Sequence, residues 1–110
     1  MHELAIAQGI IDTVTDRLPG SRVSLVSLEI GPLSGVVADA LLFCFDLATE
    51  GTGLAGARLE ISAPPARCRC RECGSEFSPD GPLPLCPCGS ADTEILSGQD
   101  LRITAVKVAA

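Results

Sequence analysis

Two clusters of cysteine carry the most specific chemistry in the chain. The first runs Cys68, then Cys70-Arg71-Glu72-Cys73-Gly74; the second, after twelve intervening residues, is Cys86-Pro87-Cys88-Gly89. A closed tetrahedral zinc site takes four thiolates, and a short Cys-to-Cys turn followed by Gly points two sulfurs at one ion while the backbone takes a positive φ. Cys70, Cys73, Cys86 and Cys88 are therefore the expected ligands of a structural Zn(II), because each pair has its own trailing Gly. A rubredoxin-like iron site would use the same four thiolates. The second pair is Cys-x-Cys, one residue shorter than the usual turn, which tightens its ring and leaves Cys68 as a substitute ligand. Cys44 stands apart, between Phe43 and Phe45 in an apolar stripe, and reads as a small core residue.

The second candidate lies at the amino terminus. His2 is the only His in the chain. A free Met1 amine, the His2 backbone nitrogen and the His2 imidazole close a five-membered and then a six-membered chelate ring around a metal, and the Glu3 amide completes a square plane. Such nitrogen-rich planes favour Ni(II) and Cu(II). A bulky residue at position 2 also discourages removal of Met1.

Positioning these groups falls to a small set of elements. Leu4, Ala7, Ile11, Val14 and Leu18 recur at steps of three and four and predict a helix over 2–18, stopped by Pro19-Gly20. Ile6 and Ile10 are expected to lie exposed beside that stripe, a surface where a partner could dock. Val26, Leu28 and Ile30 alternate with polar residues and predict a strand over 22–30. Helical spacing returns over 36–50, with Val37, Leu41, Cys44 and Ala48 in the stripe. Ala57, Leu59 and Ile61 predict a second strand, and Pro64-Pro65 marks a boundary. Between Arg67 and Gly89 lie five of the six Cys, with Phe77, Leu83 and Leu85 almost the only other apolar residues. A segment so poor in apolar side chains needs a metal staple. Strands are expected again at 93–97 and 101–108. The expected architecture is α+β: a small sheet with two helices, formed by residues 1–65 and 92–110, and an inserted zinc-ribbon-like module over 66–91.

Composition narrows the function classes. The 110 residues suit one ordinary domain, and 46% apolar content supplies a modest core. Eight Lys and Arg against fourteen Asp and Glu give a net charge of −6, with no Trp, no Tyr and three Phe. Neither an electrostatic footprint for phosphates nor an aromatic platform for bases is present, so a nucleic-acid ribbon is disfavoured despite Arg67, Arg69 and Arg71. No apolar run approaches a membrane span, and Glu3 stands where a signal peptide would carry positive charge. A soluble cytoplasmic protein is expected, where stable disulfides are rare. With one His and no clustered carboxylates, no catalytic constellation forms, so an enzyme is not expected.

The chain resembles a known family in several segments at once: Met1-His2-Glu3-Leu4 opening a helix, Leu28-Glu29-Ile30-Gly31-Pro32-Leu33-Ser34-Gly35-Val36, Phe43-Cys44-Phe45-Asp46, the paired Cys motifs and Glu94-Ile95-Leu96-Ser97-Gly98. Together they are similar to the HypA/HybF hydrogenase maturation factors over essentially the whole length. The resemblance implies a nickel metallochaperone that delivers Ni(II) to the large subunit of NiFe hydrogenase, working with the GTPase HypB, as a monomer or homodimer. It implies nickel held at His2 and a separate structural zinc on Cys70, Cys73, Cys86 and Cys88. The family usually has Cys-Pro-x-Cys in the second pair, so Cys86-Pro87-Cys88 departs from it by one residue.

Overall fold

The computed structural model describes residues 2–109. Among them the element order is α1 (Glu3–Arg17), β1 (Val23–Ile30), α2 (Ala38–Ala48), β2 (Arg58–Ser62), β3 (Arg67–Cys70), β4 (Glu76–Phe77), β5 (Thr93–Ser97) and β6 (Leu101–Val108). The strands form two three-stranded sheets, ordered β2-β1-β6 and β4-β3-β5. The chain divides into two compact units: residues 1–28, 36–62 and 102–110 make the body, and residues 29–35 and 63–101 make the module.

In the body, α1 and α2 pack against each other. Glu3, Ala7, Ile10, Ile11 and Val14 face inward on α1, a stripe at steps of three and four that continues the expected periodicity but is turned about the helix axis. Ile10 is therefore buried and Leu4 is 45% exposed, the reverse of their expected places. The cause is Glu3, whose Oε2 accepts a hydrogen bond from the Val37 amide at 3.1 Å and so belongs on the inner face. Leu41 and Phe45 are the buried residues of α2. Cys44, expected as core, is only half-buried.

The long strand β1 buries Val23, Val26, Leu28 and Ile30. Hydrogen bonds that tie it to β6 and its flank include Ala109 N to the Arg22 carbonyl, Ser24 Oγ to the Lys107 carbonyl and Thr104 Oγ1 to the Ser27 carbonyl. Numbers rise on one strand as they fall on the other, so this pairing is antiparallel. Ser62 Oγ, on β2, donates to the Leu28 carbonyl.

The module takes in more chain than the cysteine-rich segment alone. Strand β5 was expected in the body, but it pairs antiparallel with β3, setting Cys68 opposite Ile95 and Cys70 opposite Thr93. On the other side β4 sets Phe77 opposite Cys68. Alternation along β5 identifies a strand without saying which sheet it joins, and Ile95 finds its apolar partners among the cysteines. Cys68, Cys70, Phe77 and Cys86 form the buried cluster, with Leu33 and Ile95 packed against it. Leu83 and Leu85 are 65% and 50% exposed. Close backbone approach fixes two glycines: a Cβ at Gly31 would run into the Gly98 carbonyl, and one at Gly98, whose φ is +106°, into Ala66.

Candidate metal centre

Each half-site is a backbone turn that ends in Cys-Gly-Ser. In the first, the Cys70 amide donates to the Ser75 carbonyl at 2.9 Å and Gly74 N donates to the Cys70 carbonyl at 3.0 Å. In the second, Cys86 N donates to the Ser90 carbonyl at 3.0 Å and Gly89 N to the Cys86 carbonyl at 2.9 Å. Gly74 and Gly89 take φ of +77° and +97°, a conformation that side chains disfavour. The two turns thus close alike although one holds a residue fewer. The serine carbonyls were not foreseen as part of the site; their signal in the sequence is the Cys-Gly-Ser that follows both pairs.

These turns bring Cys70, Cys73, Cys86 and Cys88 together, with their four sulfurs all within 4.8 Å of one another. Cys70 Sγ lies 3.7 Å from Cys88 Sγ, and Cys73 Sγ lies 3.6 Å from Cys86 Sγ. Four thiolates about 2.3 Å from a tetrahedral Zn(II) would stand about 3.8 Å apart, so the donor set and its spacing suit that ion. Cys70 and Cys86 are buried and Cys73 and Cys88 exposed, so each turn contributes one inner and one outer sulfur. Cys68 does not join them: it is fully buried, opposite Phe77, in the module core.

The thiols of Cys70, Cys73 and Cys86 differ electrostatically. The Cys73 amide, 3.4 Å from Cys70 Sγ, holds the Cys70 thiol below the usual range. Cys73 is brought down to about 6, first by the Ser75 hydroxyl and then by the Ser75 amide. For Cys86 the Cys88 amide works in the lowering direction, but burial and the neighbouring thiols of Cys88, Cys73 and Cys70 prevail and push it up to about 12. One sulfur is thus poised as thiolate near neutral pH, while another releases its proton only to a strong competitor such as a metal ion.

The arginines around the cluster are already partnered. Arg67 and Arg69 reach Glu76 at 3.6 and 3.3 Å, Arg69 reaches Glu94 at 3.6 Å, and Arg71 reaches Asp92 at 3.1 Å. Strand β3 and the residue that follows it thus carry a row of positive charge matched by acids on and beside the two neighbouring strands.

At the other candidate site, His2 is exposed and occupies the N-cap position of α1, its carbonyl accepting from Ile6 N at 3.0 Å. Glu3 follows, 3% exposed, anchored by the Val37 amide 34 positions along the chain. Met1, expected to supply its amine, lies outside the described residues. Among the described residues no helix is long and apolar enough to cross a membrane.

A small α+β chain that draws four thiols onto one point is a metal-binding protein, and comparison with known proteins says of which kind. The family model described as "Hydrogenase/urease nickel incorporation, metallochaperone, hypA" matches residues 1–108. The hydrogenase maturation factor HypA of Nostoc punctiforme is 44% identical over 108 residues, covering 98% of this chain and 96% of that protein. Its counterpart in Geotalea uraniireducens is 45% identical over 109 residues, covering 98% and 99%. The solution structure of the nickel metallochaperone HypA from Helicobacter pylori shares the fold, with a TM-score of 0.67 at 21% identity over 100% of this chain and 99% of that one. The chain belongs to the HypA family of metallochaperones for hydrogenase maturation.

Proposed function

We propose that this chain carries Ni(II) at its amino terminus in the cytoplasm and hands it to the large subunit of NiFe hydrogenase, with the GTPase HypB as partner. Nickel is the cargo; the Met1 amine, the His2 imidazole and backbone nitrogen, and the Glu3 amide are its ligands. Cys70, Cys73, Cys86 and Cys88 hold Zn(II), which gives the module the stability its apolar residues do not supply. The observation that carries the reading is the contrast between adjacent residues: His2 is exposed while Glu3 is buried and tied to the Val37 amide. An exposed imidazole one residue from a fixed point can load and release an ion without unfolding the helix behind it. The names of the relatives support hydrogenase as the destination.

The sulfur cluster suits storage of shape rather than transfer. Its four donors fill a tetrahedron, leaving no open position for substrate, which is the mark of a structural rather than a catalytic zinc site. The ion-paired arginines argue in the same direction, because a phosphate backbone would have to compete with Glu76, Glu94 and Asp92 for them.

Titration of Ni(II) into the wild-type protein and His2→Ala, followed by calorimetry with zinc counted per chain in both, tests the assignment. Nickel binding should vanish in His2→Ala while zinc stays at one per chain. Binding should also weaken as pH falls, because imidazole, amine and amides must all lose protons to the metal. Retained nickel affinity in His2→Ala would remove the amino terminus from the site.

A further inference from the structure

The outer face of α2 has the sequence pattern of a coiled-coil seam, and among the described residues of the body it is left exposed. Leu41 and Phe45 face inward and are buried, whereas Phe43 is 67% and Leu47 53% exposed. Ala40, Phe43 and Leu47 follow the three-then-four spacing of heptad positions a, d and a, and Asp39 and Asp46, seven residues apart, both fall at the g position beside that seam. Both acids are exposed, as is Glu50 just beyond the helix, and α2 itself contains no Lys or Arg. An apolar ridge bordered by acids alone selects its occupant by charge. A second copy would bring the same acids against themselves on chains that each carry −6. Anionic lipid headgroups would be repelled in the same way.

We propose that this face of α2 is the docking ridge for a basic amphipathic helix of a partner protein. Leu-type residues of that helix would cover Phe43 and Leu47, and Lys or Arg flanking them would meet Asp39 and Asp46, since residues at e and g set partner choice in such pairs. The ridge spans little more than one heptad, so the contact is small and short-lived. A carrier that must leave after unloading needs such a contact. The partner then sits on α2, where Phe43 and Leu47 are exposed, rather than on α1, where Ile10 is buried. It does not depend on which residues hold nickel.

The probe is a two-heptad synthetic helix with Leu at a and d and Lys at e and g, compared with a twin bearing Glu in place of Lys. Each is titrated into the zinc-loaded full chain while backbone amide resonances are followed. The Lys peptide should shift Asp39, Phe43, Asp46 and Leu47, and the Glu twin should leave them in place. Phe43→Ser should weaken binding by at least about tenfold, the size of a hot-spot truncation, with the rest of the amide spectrum unchanged because Phe43 is exposed. The double variant D39K/D46K should reverse the preference toward the Glu twin, which a purely structural role for these acids would not do. Shifts gathered on other acids such as Asp12 and Asp16, equal response to the two peptides, or no response would each overturn the proposal. Sedimentation showing a dimer that Phe43→Ser dissolves would assign the ridge to a second copy instead.

Discussion

Body and module solve the same problem with different materials. The body buries large aliphatic and aromatic side chains, with Phe45, Leu28, Leu41, Leu54 and Val26 essentially inaccessible to solvent. At the centre of the module are Cys68, Cys70 and Cys86 with a single Phe. Hydrophobic burial stabilises by roughly 25 cal/mol per Å² of apolar surface, so the first unit holds itself together and the second has too little such surface to do so. What the comparison teaches is that one chain can carry two kinds of stability with separate controls: composition for the body and metal for the module.

Removing the metal should break the comparison most visibly. Structural zinc contributes on the order of 10 kcal/mol or more to folding of small metal domains. Cys88→Ala, or chelation of the wild-type protein, should therefore cost the module its amide protection in hydrogen exchange across residues 63–101 while the body keeps its own. Cys68→Ala should keep one zinc per chain, because Cys68 packs opposite Phe77 and outside the sulfur cluster. Zinc lost from Cys68→Ala and retained in Cys88→Ala would show that the fourth ligand had been misassigned.

A cavity in the body should give the converse result. Phe45→Ala should destabilise the body by about 3–5 kcal/mol, measured by denaturant unfolding, without loss of zinc. A smaller effect is expected of Gly98→Ala, where a left-handed backbone and the Ala66 side chain both oppose a Cβ. The expected cost is roughly 1–3 kcal/mol, felt as earlier opening of the module in hydrogen exchange.

Proton release sharpens the picture further. Above pH about 6 Cys73 is already thiolate, whereas Cys86 keeps its proton up to about 12. Zinc binding at neutral pH should thus expel the Cys86 proton but little from Cys73, and affinity should fall steeply as pH drops through 6 and Cys73 takes up its proton. Calorimetry in buffers of different ionisation enthalpy counts the protons; no net release at pH 7 would contradict this ordering. Smallest of all should be Arg69→Ala. Its pairs with Glu76 and Glu94 are about half-exposed, so the change should stay within about 1 kcal/mol by thermal unfolding.

Periodicity made both helices and the long strands legible, and 93–97 and 101–108 form strands over those residues. The sulfur cluster was legible too, because two Cys-to-Cys turns with trailing Gly constrain geometry locally. Legibility failed wherever the answer lay in a distant partner. Glu3 reads as a polar residue until the Val37 amide is found beside its carboxylate, and that one contact turns α1 so that Leu4 faces out and Ile10 in. Likewise β5 reads as a strand of either sheet until Ile95 is seen against Cys68. Cys44 sits at the edge of the buried face of α2, where a helical stripe read as continuous overstates burial.

The central claim, that nickel is held by the amino terminus itself, meets its most direct test in Ni(II) calorimetry on the untagged protein and on one extended by a few residues ahead of Met1. Extension removes the free amine and moves His2 from the end of the chain, yet changes no residue and leaves the zinc cluster intact. The extended protein should lose nickel binding with one zinc still bound. Equal nickel affinity in the two proteins would contradict it and shift the search to acids such as Glu29 and Asp39.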